Sequence, residues 1–376
     1  MTRPPFNFLT IQTTKACNLS CKYCYQDSNS LESSAKLSFE MIQNIIENLI
    51  AYHSIIGYNN SVSITFHGGE PLLLGHEFFL RALKYLRNIE EQKRIKLSLA
   101  IQTNLTLLDN EYCKIFQEHN VGISTSIDGP SYLHNRFRGR SHIDDNHFSV
   151  MKNIELARQY GLRLGAICII TPDKLSYVQD IYDFFKQHKI NFKTNVPFLH
   201  GCALENHEQV YVDLDEYAKF LIALFDIWYP QKPEVMIENL LDLISIALRG
   251  TGAGGCANSN CSIKHITITP DGECYTCGRT TGDPFFNYGN IKSITFDEIS
   301  KNSKFLFFNN RVPDNIPSCS ICHFKNACFS GCMYEAYLQS GTIYAPDKNC
   351  KAFKTVYSHI YERVKTDLIE LQRKES

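Results

Sequence analysis

Three cysteines near the start of the chain are spaced to hold one metal cluster. Cys17, Cys21 and Cys24 form a CxxxCxxC run in the loop after the first predicted strand. A cluster held by four cysteines is typical of electron transfer. Three thiolates instead leave one iron of a four-iron cluster open to a small molecule. The alternative is a zinc site, which needs a fourth ligand such as His53 or His67.

Eight further cysteines fall into a second pattern in the last third of the chain. In a chain of this size without a secretion signal, such spacing indicates metal ligands rather than disulfides. Taken alone, this tail fits a pair of zinc sites about as well as iron–sulfur clusters. The eight are Cys256, Cys261, Cys277, Cys319, Cys322, Cys328, Cys332 and Cys350.

The four remaining cysteines stand outside both patterns. We predict that Cys113, Cys168 and Cys202 are buried, unreactive thiols, because free cysteine packs as a small apolar side chain. Cys274 lies three residues before Cys277 and is therefore an alternative ligand.

Polar residues recur where the early predicted strands end. In barrels of alternating strands and helices, active sites lie at the carboxyl ends of the strands. Two glycines there let the backbone approach a ligand closely, and a carboxylate follows them. The sequence therefore predicts a binding site at these strand ends. Its residues are Gly68, Gly69, Glu70, Gln102, Asn104, Ser126 and Asp128.

Strand-like and helix-like segments alternate over the first two hundred residues. This alternation predicts an α/β fold with a parallel sheet and crossover helices. Six units are too few for an eight-stranded barrel, which leaves a partial barrel or an open sheet. The predicted strands are 8–12, 61–66, 96–102, 122–127, 162–170 and 191–198, and the helices between them are 38–55, 77–89, 110–119, 148–160 and 177–188.

The pattern changes after residue 198. Two helices, 215–228 and 234–248, precede a region of short strands, turns and cysteines, and a terminal helix is predicted over 352–371. We therefore divide the chain into four parts: a barrel over 1–210, a helical linker over 211–255, a cysteine-rich domain over 256–353 and a C-terminal helix over 354–376.

Composition excludes two classes of protein. A formal net charge of −1 over 376 residues gives no broad attraction to nucleic acid or to an anionic membrane surface. No run of about 18 apolar residues is present to span a bilayer. The first residues lack the layout of a signal peptide. We expect a cytoplasmic protein that binds neither nucleic acid nor membrane.

The cysteine loop, with Tyr23 before its last cysteine, resembles the signature of the radical S-adenosylmethionine (radical SAM) superfamily. The resemblance implies a partial (βα)6 barrel and a [4Fe-4S] cluster whose open iron binds SAM. It also implies a 5′-deoxyadenosyl radical that abstracts a hydrogen atom from the substrate. The residues expected to contact SAM are Tyr23, Gly68, Gly69, Glu70, Gln102, Asn104, Ser126, Asp128 and Arg138.

The later cysteines resemble the SPASM extension of that superfamily, with Cys256 as an eighth ligand. This resemblance implies two auxiliary [4Fe-4S] clusters, three clusters in all. Cys256, Cys261, Cys277 and Cys332 would hold one auxiliary cluster, and Cys319, Cys322, Cys328 and Cys350 the other.

SPASM enzymes mostly modify peptides and proteins, and two reactions compete. Anaerobic sulfatase-maturating enzymes oxidise a cysteine or serine to formylglycine. Directly after the cysteine that corresponds to Cys277 they carry an aspartate, which acts as the base that deprotonates the substrate thiol or hydroxyl. Gly278 stands at that position here, which leaves Asp271 and Asp283 as the candidate catalytic carboxylates. On this ground we favour a maturase that crosslinks a ribosomally made precursor peptide, leader plus core, through a cyclophane carbon–carbon bond or a similar bond.

Sulfatase maturation remains the alternative within this group, and an iron–sulfur electron-transfer or sensing protein is the alternative outside it. The three-cysteine loop argues against a simple carrier, which has no use for an open iron. If the protein is an enzyme, a flavodoxin or ferredoxin-type reductant must supply electrons to the first cluster.

Overall fold

One sheet of nine strands organises the computed structural model, which describes residues 4–139, 145–231, 234–251, 256 and 258–375. The strand order is β6-β5-β4-β3-β2-β1-β7-β8-β9, and β1 to β7 run parallel, whereas β8 and β9 are antiparallel. The strands are β1 Phe8–Gln12, β2 Val62–His67, β3 Leu97–Thr103, β4 Gly122–Ser126, β5 Leu164–Ile169, β6 Asn191–Asn195, β7 His265–Ile268, β8 Glu273–Tyr275 and β9 Asn287–Asn290.

Helices cover the outer face of the parallel strands and build most of the C-terminal region. No helix within the described residues is long and apolar enough to cross a membrane. The helices are α1 Phe39–Ile56, α2 His76–Lys93, α3 Asn110–Glu118, α4 Ser131–His134, α5 Asn146–Gln159, α6 Val178–Gln187, α7 Cys202–Glu205, α8 His207–Val210, α9 Leu214–Trp228, α10 Glu238–Arg249, α11 Phe296–Lys301, α12 Ser303–Asn309, α13 Pro317–Ser320, α14 Lys325–Cys328, α15 Met333–Ser340 and α16 Cys350–Glu375.

The parallel strands present an apolar face and a polar face. On β2, Val62, Ile64 and Phe66 are buried, while Ser63 and Thr65 between them are only half-buried. The same alternation occurs on β3. Because successive strand residues point to opposite faces, the apolar rows pack against the helices and the small polar rows line the inside of the partial barrel. The predicted α/β fold class is confirmed.

The C-terminal region is joined to the barrel by the sheet itself, which the sequence did not predict. β7 pairs with β1 in parallel, with Leu9 opposite Ile266 and Ile11 opposite Ile268. The hairpin of β8 and β9 then extends the same sheet. The predicted boundary at residue 255 lies outside the described residues, and the domain limits stay predictions. The C-terminal helix is Cys350–Glu375 and so begins two residues before the predicted start at 352.

Phe6 fastens the start of β1 to both halves of the molecule. Its ring is fully buried and lies 5.8 Å from that of Tyr52 on α1. The rings of Phe296 and Phe305, from the C-terminal region, lie 5.7 Å and 5.3 Å away. This aromatic group joins the barrel to α11 and α12.

We expect Phe6→Ala to lower the free energy of unfolding by about 3–5 kcal/mol, because truncating a buried phenylalanine loses its contacts and leaves a cavity. Phe8→Ala is the matched control, since the Phe8 side chain is 38% exposed and should cost far less. Anaerobic denaturant unfolding of both variants checks the difference, and equal destabilisation would contradict the packing role of Phe6.

Candidate functional site

The loop that carries the three early cysteines rests directly on the turn after β2. The N–H of Gly69 donates to Thr14 O at 2.8 Å, and the N–H of Glu70 donates to Ala16 O at 2.8 Å. A Cβ on Gly68 would lie 2.2 Å from Thr14 O, and a Cβ on Gly69 would lie 2.0 Å from Ala16 O. Both positions therefore require glycine.

These contacts change the interpretation of the glycine–glycine–glutamate run. The absence of a side chain at the two glycines lets the backbone of the cysteine loop approach closely. Glu70 is fully buried, and its carboxylate accepts hydrogen bonds from Thr103 Oγ1, Asn104 N–H and Leu72 N–H at 2.7, 2.7 and 3.0 Å. Burial raises the pKa of the Glu70 carboxyl to about 7, although the three hydrogen bonds act to lower it. The carboxylate fixes the ends of β2 and β3, and the contact of this segment with SAM stays a prediction.

The Cys17 sulfur lies among hydrogen-bond donors. The N–H of Leu19 points to it at 3.4 Å, and the side-chain amide of Asn104 lies 3.8 Å away. Burial raises the pKa of the Cys17 thiol to about 11 and that of Cys24 to about 12. Metal binding must therefore displace protons here. All three cysteines are half-buried free thiols on one loop, a donor set that fits an iron–sulfur cluster.

A buried charge group holds the far side of this loop. The Tyr23 hydroxyl hydrogen-bonds to the Asp128 carboxylate and accepts from Arg138 Nε at 2.8 Å. Lys174 Nζ, also fully buried, lies 2.9 Å from the same carboxylate. Burial alone would raise the pKa of Asp128, but the charges of Lys174 and Arg138 hold it well below its usual value. Asp128 and Tyr23 thus tie the loop to the end of β4.

The polar strand ends divide into two groups. Gln102 and Ser126 are half-buried on the inner face and hydrogen-bond to each other at 3.2 Å, so they remain placed to meet a ligand. Asn104 is used locally, because its amide donates to Asn18 Oδ1 at 2.8 Å. The contacts of these residues with SAM stay predictions.

The later cysteines gather as two quartets. The Cys261 thiol hydrogen-bonds to Cys256, and this contact, burial and the charges of Cys277 and Cys332 raise its pKa. Burial, then the charges of Asp347 and of the three other cysteines of its own quartet, raise the pKa of the Cys328 thiol to about 12. A cavity of about 90 Å³ is walled by the four cysteines of this second quartet, which fits a cluster held between them. They are Cys319, Cys322, Cys328 and Cys350.

The two cysteine regions meet across Tyr25, which the sequence analysis missed. Its hydroxyl lies 3.9 Å from where a Cβ on Gly278 would stand. Nearby, Gln12 Nε2 donates to Thr281 Oγ1 at 3.3 Å. Residue 278 therefore lies beside the first cysteine loop. The only available signal was the position of Tyr25 directly after Cys24.

Glu335 offers a carboxylate beside Arg279, the residue after Gly278. It is buried, and its oxygens lie 3.3 Å from Arg279 Nη1 and 2.7 Å from Lys348 Nζ. All three residues line a cavity of about 460 Å³ together with Cys256 and Cys332. The Arg279 guanidinium also lies 5.1 Å from the centre of the Phe198 ring.

The two predicted catalytic carboxylates, Asp271 and Asp283, form local hydrogen bonds in turns. Asp271 is exposed in the β7–β8 turn, where Thr269 Oγ1 donates to it. Asp283 accepts the N–H of Phe285 at 2.9 Å and caps a short turn. Neither lines the cavity that contains Glu335.

The four cysteines outside the patterns are free thiols as well. Cys113, Cys168 and Cys274 are fully buried, and Cys274 directs its thiol towards Gly272 O at 3.7 Å. Cys202 lies against the first cysteine loop, where its N–H donates to Gln26 O at 3.0 Å. Their lack of reactivity stays a prediction.

Comparison with known proteins identifies both regions. Residues 11–185 match the radical SAM superfamily, and residues 256–323 match SPASM, an iron–sulfur cluster-binding domain. A cysteine-type anaerobic sulfatase-maturating enzyme of Clostridium perfringens is 26% identical over 96% of this chain and 98% of its own length. A serine-type enzyme of Bacteroides thetaiotaomicron is 26% identical over 92% of this chain and 86% of its own.

Among solved structures, native anSMEcpe with bound AdoMet superposes with a TM-score of 0.82 at 24% identity. The alignment covers 97% of this chain and all of that one. This likeness supports the fold. The same protein has also been solved with bound AdoMet and the Cp18Cys peptide.

The prediction that the chain crosslinks a precursor peptide is wrong. The similarity to sulfatase-maturating enzymes runs from end to end and includes both the cysteine and the serine type. The prediction gave too much weight to one position, Gly278, against a similarity that spans the whole chain. The zinc alternative is likewise replaced by an iron–sulfur domain.

We expect Gly69→Ala to abolish assembly of the first cluster, because its Cβ would lie 2.0 Å from Ala16 O and displace the cysteine loop. Gly122→Ala on β4 is the control, since its Cβ would meet nothing closer than 3.8 Å. Iron and sulfide analysis after anaerobic reconstitution measures the loss. A full complement of iron in Gly69→Ala would refute this role.

We expect Asp128→Asn to destabilise the fold by about 3–5 kcal/mol, because it leaves Lys174 and Arg138 buried without their counter-charge. Asp180→Asn, which alters an exposed hydrogen bond from Tyr132, should have little effect. Folding lowers the pKa of Asp128. Its contribution to the free energy of unfolding is therefore fully present above the pKa that it has in the unfolded chain, and it is lost progressively as the pH falls below about 4. Denaturant unfolding across this range tests both statements.

Proposed function

Because the chain belongs to the radical SAM superfamily and carries a SPASM domain, we propose that it oxidises a cysteine or serine side chain of a protein substrate to formylglycine. The end-to-end similarity to sulfatase-maturating enzymes of both types carries this proposal. The peptide bound to anSMEcpe supports a substrate that is recognised as a peptide segment.

The radical SAM domain binds SAM at a [4Fe-4S] cluster, and the SPASM domain holds auxiliary clusters. We propose the same cysteines as ligands that the sequence predicted. An external flavodoxin or ferredoxin-type donor is proposed as the reductant. The ligands are Cys17, Cys21 and Cys24 for the first cluster, Cys256, Cys261, Cys277 and Cys332 for the second, and Cys319, Cys322, Cys328 and Cys350 for the third.

When bound, these groups supply a radical that removes a hydrogen atom from the substrate side chain and an acceptor for the electron released next. The chain itself must accept the proton of the substrate thiol or hydroxyl. Gly278 has no side chain to do so. Glu335, held by Arg279 and Lys348 in the same cavity wall, is the proposed proton acceptor.

Peptides derived from sulfatases test the proposed reaction. Reconstituted enzyme is incubated anaerobically with SAM, a reductant and peptides that differ only in a central cysteine, serine or alanine. Formation of 5′-deoxyadenosine together with an aldehyde on the cysteine or serine peptide, read by mass spectrometry and hydrazide labelling, is the expected result. An intact peptide beside rapid SAM cleavage, or a crosslinked product, would refute the proposal.

We expect Glu335→Gln to keep SAM cleavage and to lower aldehyde formation by about a hundredfold or more, the contribution of a general base. Glu216→Gln, which breaks a surface ion pair with Lys219, is the control. A Cβ at Gly278 would make only ordinary contacts, 3.9 Å from Thr267 Oγ1 and 3.9 Å from the Tyr25 hydroxyl, so Gly278→Asp combined with Glu335→Gln should recover aldehyde formation. Undiminished aldehyde formation in a folded, fully loaded Glu335→Gln would show that Glu335 does not accept the proton.

A further inference from the structure

Asp347 lies between the two cysteine quartets of the C-terminal region. It lines the small cavity enclosed by the second quartet, and it also lines the larger cavity beside Cys256 and Cys332 of the first. Only 7% of the residue is exposed. One buried carboxylate is therefore shared by both auxiliary cluster sites.

Hydrogen bonds connect Asp347 to a cysteine of each quartet. Its Oδ2 accepts the N–H of Cys332 at 2.6 Å, and its main-chain oxygen accepts the N–H of Cys350 at 2.9 Å. Its Oδ1 accepts the N–H of Asn349 at 2.7 Å. Gly331 makes this possible, because a Cβ there would lie 2.5 Å from the carboxylate.

Arg311, a buried cation of this region, feels the charge of Asp347 but directs its hydrogen bonds elsewhere. Arg311 donates to the main-chain oxygens of Ile343, Gly331, Ser330 and Ala345 at 2.6, 3.0, 2.8 and 3.2 Å. The guanidinium thus joins segment 330–331 to segment 343–345, which leads to Asp347. Across the described part of the chain, no ion pair to Asp347 is formed.

We propose that Asp347 is a positioning residue that lowers the reduction potentials of both auxiliary clusters together. Cluster potentials depend on net charge, on hydrogen bonding around the sulfurs and on solvent exposure. A buried negative charge beside a cluster opposes the addition of an electron, and it acts strongly where water is excluded. The same residue orients the backbone at Cys332 through its side chain and at Cys350 through its main-chain oxygen. The proposal needs only the clusters and does not depend on the substrate.

Redox titration followed by electron paramagnetic resonance tests this role in full-length, reconstituted enzyme. Asp347→Asn is expected to raise the potentials of both auxiliary clusters and to leave that of the SAM cluster unchanged. Asp297→Asn, on surface helix α11 beside Lys301, is the control and should move none of the three. Iron and sulfide contents establish that all clusters are present.

Unchanged potentials in a fully loaded Asp347→Asn, or a shift of one auxiliary cluster alone, would overturn the proposal. If that variant fails to load, Asp347→Glu provides the second test, because it keeps the charge and moves it by one methylene group. Both auxiliary potentials must then shift together. A shift confined to one of them overturns the proposal in this variant as well.

Discussion

The contact between the turn after β2 and the loop after β1 is the constraint on which the site depends. Two backbones touch there, through Gly68 and Gly69, at a separation that no side chain would allow. Because β1 and β2 are neighbours in the sheet, the position of the first three cysteines is set by strand pairing and by these amide hydrogen bonds. These contacts between main-chain atoms therefore fix where the loop lies relative to the sheet.

Two buried carboxylates hold this arrangement from opposite sides. Glu70 joins the ends of β2 and β3 through neutral donors, whereas Asp128 neutralises Lys174 and Arg138 behind Tyr23. Burying a charge is costly unless it is paired and hydrogen-bonded. Asp128 meets both conditions, whereas Glu70 has hydrogen bonds without a cation, and burial accordingly raises its pKa to about 7. They act on the ligand site through the backbone they position.

Local sequence patterns predicted much of the barrel. β1 lies at 8–12 as predicted, and Ser38 caps α1 by accepting the N–H of Met41 at 3.1 Å. Alternation and capping are local, so one sequence reveals them. The six parallel strands and five helices between them followed from the same periodicity, with ends displaced by a few residues.

What the sequence did not reveal depends on partners distant in the chain. The hydrogen-bond partners of Glu70 and Asp128 could not be predicted, because only the fold brings those donors together, and the contact of either residue with SAM stays a prediction. Glu335 went unnoticed, because its two cations stand 56 residues before and 13 residues after it. The pairing of β7 with β1 joins strands separated by most of the chain, and no periodicity encodes it.

That pairing has a mechanical consequence. Because β1 is hydrogen-bonded to β2 on one side and to β7 on the other, the barrel and the C-terminal region share one continuous sheet. A hinge between them would have to break this pairing. The spacing between the first and second cluster sites is therefore fixed by the sheet. The edges of the sheet are β6 and β9, on either side of this junction, so a change at either edge leaves the pairing of β1 with β2 and β7 intact.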